Sequence, residues 1–318
     1  MINFKSVFSH CCLTLFVAFA ANAQVQVPRD TSFTLYGTYI KEKKYRPYIR
    51  IAEPELKTGV LVKKDLVYSD LNGRKLLVDV YCPQNRKQKY PGVVLIFGGG
   101  WRSGDKSQME AMGRVLAAKG YVAFAPEYRL SLEAIYPAAV YDLKQAVRWM
   151  RLHHKEFNLD VSKIASLGTS AGGQLAALLG TTNHDERFEA DDSSSGASSA
   201  IQAIVDIDGT LAFHHPESVE GKAASWWFGG DYQQKPELWE DAAPLNHVDK
   251  NTAPILFVNS SLPRFHAGRD DMVAKLDSLQ IYSQVKEFPD TPHPFWFFHP
   301  WFDPMMETVV DFLDKQFK

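Results

Sequence analysis

Gly168-Thr169-Ser170-Ala171-Gly172 constrains the fold of this chain more than any other segment. The pattern is Gly-x-Ser-x-Gly. Before it runs Ile164-Ala165-Ser166-Leu167, short and mostly apolar, which reads as a strand; after it runs Gly173-Gln174-Leu175-Ala176-Ala177-Leu178-Leu179, which reads as a helix. A serine at a strand-to-helix junction is forced into a sharp elbow. The glycines let neighbouring backbone pack where a Cβ would not fit, and the hydroxyl is thrust into the open at the top of a sheet. The helix behind it turns unpaired N–H groups toward any negative charge that develops there. Without that strand and helix the same five residues would describe an ordinary Gly/Ser turn.

The rest of the chain supplies the sheet. Val60 to Tyr68 and Lys75 to Tyr81 read as two strands around the hairpin turn Asn72-Gly73. Pro91-Gly92 introduces Val93-Val94-Leu95-Ile96-Phe97, a continuous apolar run of the kind that is buried on both faces. A helical face of Met109, Met112, Val115 and Leu116 follows, then a strand over Tyr121–Ala125, then a helix opened by Pro137 with Val140, Leu143, Val147 and Met150 on one side. Beyond the elbow, Ile201–Ile207, Pro254–Val258 and Tyr282–Phe288 read as strands, and Asp303-Pro304 starts a last helix. Strands alternating with helices predict an α/β protein with a mostly parallel sheet and helices on both faces, its site outside the C-terminal strand ends. The polar stretch from Thr181 to Ala200 reads as an exposed loop. The aromatic-rich stretch from Phe213 to Glu240 reads as a lid or wall of the site.

At 318 residues the chain can bury one large core, and a formal charge of −2 gives no sign of a nucleic-acid partner. Its aromatic share, 13%, gives mild support for a surface that stacks on sugar rings. Residues 1–23 read as an export signal: Lys5, the apolar stretch Leu13–Ala20 and the small-x-small site Ala21-Asn22-Ala23, with cleavage before Gln24. That run is too short for a stable bilayer span and no second one reaches that length, so no membrane attachment is expected after cleavage. Cys82 would then be the one remaining cysteine, excluding an intrachain disulfide. The expected organisation is a signal peptide over 1–23, an N-terminal extended arm over 24–56 and a catalytic domain over 57–318, in a periplasmic or secreted protein.

A serine hydroxyl needs a base, an acid to orient the base, and donors for the oxyanion. Phe97-Gly98-Gly99-Gly100-Trp101 follows a buried strand, and consecutive glycines leave amides free of side-chain cover. The amides of Gly99, Gly100 and Ala171 are the expected oxyanion hole. If the chain order is Ser…Asp…His, the base lies late among the ten histidines. His293, after the last strand, is preferred to His299 and His266. The acid is expected after Ile255–Val258. There either Asp270 or Asp271 could orient His293; Asp270 is favoured, with Asp271 left to cap a helix. Asp206 and Asp208 are held in reserve.

With these residues in place, Gly98 to Lys106, Tyr128-Arg129-Leu130-Ser131, Tyr136-Pro137-Ala138-Ala139 with Asp142, and Gly168 to Gly173 together resemble the α/β-hydrolase carbohydrate esterases. That group includes acetylxylan, feruloyl and pectin esterases related to the hormone-sensitive-lipase branch. The resemblance runs from about Val60 to the C-terminus. It implies an α/β-hydrolase fold, a Ser–His–Asp triad, a glycine-loop oxyanion hole and no cofactor or metal. This chain has Phe97 where the family begins its glycine motif with histidine, so the loop needs another brace. Trp101, Arg264 and Arg269 are candidate substrate contacts, an arginine there being able to pair with a uronate carboxylate. The function so expected is an exported serine esterase acting on acylated plant polysaccharide or oligosaccharide, acetyl foremost. A pectin methylesterase, a general short-chain carboxylesterase and a non-catalytic glycan-binding protein are the alternatives.

Overall fold

The structure, a computed structural model, describes residues 27–54, 56, 58–189, 196–219 and 221–318. The expected export signal lies outside them, as does the centre of the polar stretch between Thr181 and Ala200. In chain order the elements are α1 (Leu35–Lys43), β1 (Arg50–Ile51), β2 (Val60–Leu71), β3 (Arg74–Pro83), β4 (Tyr90–Ile96), α2 (Glu110–Ala118), β5 (Val122–Pro126), α3 (Ala138–Leu152) and α4 (His154–Phe157). There follow β6 (Leu159–Thr169), α5 (Ala171–Thr181), β7 (Ala203–Ile207), α6 (Gly221–Phe228), α7 (Pro236–Asp241), β8 (Ile255–Ser260), α8 (Arg269–Ser278), β9 (Ser283–Phe288), β10 (Phe298–His299) and α9 (Phe302–Phe317).

Eight strands form one sheet in the order β2-β3-β5-β4-β6-β7-β8-β9. The β2–β3 hairpin closes at Asn72-Gly73, where both residues take the positive φ (52° and 94°) of the favoured two-residue turn. β2–β3 and β3–β5 pair antiparallel; from β5 to β9 every pairing is parallel. The central strands are buried along their whole length, as their unbroken apolar runs require.

The strand order also locates the site. From β4 the chain steps one way to β5 and then crosses back over β4 to β6. Right-handed crossovers therefore put α2 on one face and α3 and α5 on the other. α9 returns to pack beside α2. The C-terminal ends of β4 and β6, where the direction of winding reverses, open the crevice in which such sheets hold ligands. The glycine loop leaves β4 there, and Ser170 leaves β6.

The N-terminal segment is not extended throughout. Its residues Leu35–Lys43 form a helix capped by Thr34, whose side chain accepts from the Gly37 amide. β1 then pairs antiparallel with β10, Arg50 opposite His299 and Ile51 opposite Phe298. One side of the helix has a place to pack: Leu35 and Tyr39 are half-buried, Tyr39 against Phe298, and Ile49 beyond it is wholly buried, while Tyr36 and Ile40 stay exposed.

Candidate active site

Ser170 joins β6 to α5 with φ 54° and ψ −124°, a conformation disfavoured for a residue with a side chain. Neighbouring backbone holds it there. Its amide donates to the Ile207 carbonyl (2.8 Å), and its carbonyl accepts from the Gln174 amide (3.1 Å). A Cβ on Gly168 would overlap the Gly172 carbonyl, and one on Gly172 would overlap the carbonyls of Ile96 and Phe97. The two glycines of the motif are therefore required by close approach of backbone at the switch point.

The Ser170 hydroxyl lies 2.8 Å from His293 Nε2, and His293 Nδ1 lies 3.0 Å from an Asp208 carboxylate oxygen. His293 comes from the loop after β9, and its side chain is 14% exposed, so solvent and substrate can reach it. Its ring is stacked on Phe265 (3.3 Å between centroids, 10° between planes) and meets the edge of Trp296 at 4.9 Å. The Asp208 side chain is fully buried; its other oxygen accepts from the Ser260 amide at 2.7 Å. A carboxylate bonded in this way stays fixed and fixes the imidazole tautomer, with Nδ1–H donating to the acid and Nε2 facing the serine.

The acid is thus displaced from its expected position. Asp270 and Asp271 sit in the first turn of α8, whose N-cap is Gly268. Asp270 is exposed and accepts from Arg269 at 2.8 Å; Asp271 pairs with His215 at 3.2 Å. Neither meets His293. Asp208 does because β7 lies directly beside β6, so the turn after β7 opens next to the elbow. The signal was present in Asp208-Gly209, a carboxylate and a glycine ending a buried apolar run. Asp206, two residues earlier, faces inward. It is wholly buried, with one oxygen bound to the Gly209 amide (2.8 Å) and the other unpartnered. Burial first, and the nearby Asp208 charge second, push its carboxyl well above the usual range.

The loop expected to hold the oxyanion follows β4. Gly99 (φ 133°) and Gly100 (φ 60°) take backbone conformations that side chains disfavour. Among the described residues, no backbone carbonyl accepts from the amides of Gly99, Gly100 or Ala171. The brace expected in place of a histidine is a tyrosine. Tyr128 donates its hydroxyl to the Phe97 carbonyl (2.8 Å) and stacks on the Phe97 ring at 4.4 Å. The Gly99 carbonyl accepts from the Arg102 and Ser103 amides (3.2 and 3.0 Å). Trp101 is only 2% exposed. Its indole N–H donates to Gln174 Oε1 (2.8 Å), and its ring stacks on Trp227 of α6 at 4.9 Å. Trp101 is therefore part of the loop's foundation, not a substrate contact. The aromatic stretch forms a wall behind this loop: Trp227, Phe228 and Trp239 are buried, and α6 brings Ala223 up to Gly100.

Arg269 is also occupied, bound to Asp270, Glu287 (2.7 Å) and Asn259 (3.0 Å). Arg264 is exposed in the turn after β8 and lines a cavity that includes His293. Arg129 and Asp142 form a forked pair, with contacts from 2.7 to 3.1 Å, that ties the segment after β5 to α3. Among the described residues no group of three or more His, Cys, Asp or Glu side chains gathers as a metal site. The arrangement can activate a hydroxyl, hold an oxyanion and return a proton to a leaving group, the three operations of acyl transfer.

A sequence model of the BD-FAE family matches residues 78–285, a span that holds the glycine loop, the elbow and Asp208 and ends short of His293. Esterase LipC of Mycobacterium tuberculosis is 32% identical over 193 residues, covering 58% of this chain and 47% of LipC. The chain spans about half the length of the curated relatives it matches. Among solved structures, a truncated carbohydrate esterase from gut microbiota superposes with TM-score 0.68 at 23% identity, covering 80% of this chain and 96% of that one. A bifunctional GH43-CE protein of Bacteroides eggerthii gives TM-score 0.70 at 23% identity, covering 84% and 39%. These neighbours share the α/β-hydrolase fold of this chain.

Proposed function

The chain belongs to the BD-FAE family, and from that premise we propose that it is an exported serine esterase that removes acyl groups, acetyl foremost, from plant cell-wall polysaccharides or their oligosaccharides. The observation that carries this reading is the hydrogen-bonded chain Ser170–His293–Asp208. Neutral His293 takes the Ser170 proton as Oγ attacks the ester carbonyl. The carbonyl oxygen becomes an oxyanion held by the Gly99, Gly100 and Ala171 amides. The imidazolium, stabilised by Asp208, gives its proton to the departing sugar alkoxide, leaving an acyl-serine. Water then attacks with His293 again as base, and the acid is released.

A glycan ester is favoured by two fold neighbours, a carbohydrate esterase and a GH43-CE protein. Export rests on the leader-like residues 1–23.

The test is hydrolysis of p-nitrophenyl acetate together with separate measurement of acetate and methanol released from acetylated xylan and from pectin. Acetate release is expected, with Ser170→Ala lowering it about 10³-fold or more. Methanol release alone would indicate a pectin methylesterase. Glycan affinity with no turnover of any ester would indicate a binding protein and end the esterase reading.

A further inference from the structure

Acyl transfer orients an ester in the site. The carbonyl oxygen must reach the Gly99, Gly100 and Ala171 amides, and the leaving oxygen must come within reach of His293 Nε2, from which it takes its proton. The alcohol part of the ester therefore extends to the His293 side of Ser170. A cavity of about 670 Å³ opens on the His293 side. That size lies within the range of small-ligand sites, ~300–1,000 Å³.

Three segments wall this cavity: the loop carrying His293, the turn carrying Arg264 and Phe265, and α1 with the residues just after it. Its charged groups are Lys41, Arg46, Arg264, Glu42 and Asp290. Arg46 and Glu42 bind each other at 2.9 Å. Among the described residues neither Lys41 nor Arg264 has a carboxylate partner, and Asp290 is the one unpaired carboxylate on the lining. Arg264 is nonetheless positioned. Its guanidinium lies 4.0 Å over the Phe265 ring, which in turn lies 3.3 Å from the His293 ring. A guanidinium held over a phenyl ring can still offer N–H groups to a carboxylate. The column imidazole, phenyl, guanidinium places those groups two ring layers from the catalytic base.

We propose that this cavity is the alcohol-side subsite and that it takes a uronic acid, the sugar carrying the acylated hydroxyl or its neighbour, with Arg264 gripping the carboxylate and Lys41 of α1 adding a second cation. As a substrate subsite this rests on the esterase reading; as a binding site for a uronate it does not. Residues 27–54, which supply Lys41, precede the span matched by the family model.

Two measurements decide it. The first compares kcat/KM for acetate release from acetylated oligogalacturonate and from the same oligomer after reduction of its carboxylates to neutral galactose units. The native protein is expected to prefer the charged form about tenfold or more, mainly through KM, as one charge-assisted pair can supply. Arg264→Ala should bring the ratio to within about twofold of one, Arg264→Lys should keep part of it, and 1 M salt should lower it. Lys41→Ala should lower it partway. A native ratio near one, or equal losses on both substrates in Arg264→Ala, overturns the proposal. The second is calorimetric titration of Ser170→Ala with unacylated trigalacturonate. Binding is expected, and it should be lost on adding Arg264→Ala. If no ester is turned over, this titration still decides the subsite; if esters are turned over and trigalacturonate does not bind, the subsite fails and the esterase stands.

Discussion

Two carboxylates separated by one residue are bonded very differently at this site. Asp208 is buried but receives bonds from the Ser260 amide and His293, whereas Asp206 has one amide and an unpartnered oxygen. Asp208→Asn should lower kcat about 10³–10⁴-fold by removing the acceptor that sets the imidazole tautomer, whereas Asp270→Asn, at an exposed ion pair, should stay within about twofold of the parent. Equal losses in steady-state assays of the two variants would contradict the geometry. Folding changes the titration of Asp206. Because folding raises its pKa, its contribution is complete below the ordinary carboxylate range and is lost as pH rises above it. Asp206→Asn should therefore melt higher than the parent at pH 8, with the gap closing toward pH 4. Thermal melts at the two pH values check the sign. Ser170 and His293 were legible as residues, one from its glycines and the other from its place after the last strand. Asp208 was legible only as a reserve, because a carboxylate and a glycine ending a buried run do not by themselves say which aspartate will meet His293.

At the scale of elements, the loop after β4 is a set of free amides held in place from behind. Tyr128 after β5 anchors Phe97, and Gln174 of α5 receives the Trp101 indole while donating to the Ala242 carbonyl (2.7 Å). α6 closes the back with Trp227. Tyr128→Phe removes one hydrogen bond, worth about 1 kcal/mol, and keeps the ring stack. If that bond holds the amides in register for the oxyanion, kcat should drop about fivefold with KM little changed. An unchanged kcat would mean that the stack and the Trp101 anchor suffice. The glycine run and its strand were readable from their local pattern. The anchors were not, since Tyr128, Gln174 and Trp227 lie far apart in sequence and meet only because the elements carrying them pack around the ends of β4 and β6.

At the scale of the whole molecule, the N-terminal segment is a strap across both sides of the site. Asp30 bridges to the oxyanion loop, binding Arg102 at 2.7 Å and pairing beside Ser103, while α1 walls the cavity next to His293. Hydrogen bonds from Ser32 and then Arg102 hold the Asp30 carboxyl down at about 2, so the contact persists throughout the range in which imidazole can act as a base and fails only as pH falls toward that value. Deleting everything before Glu53 strips Ile49 from the core and Tyr39 from Phe298. At about 1.5–3 kcal/mol per buried apolar side chain and roughly 2–4 °C per kcal/mol, the melting temperature should fall by at least about 5 °C. An unchanged melt would mean that the strap is only loosely laid on the domain. Local patterning alone was enough for the alternation of strands and helices, the nucleophile's elbow, the glycine loop and the late histidine, because each depends on residues within about one element of one another. Which aspartate meets His293, what props the loop and which arginine stays free were settled by packing, because hydrogen bonds and stacks join groups by distance in space and the sheet's strand order, not the chain's, sets those distances.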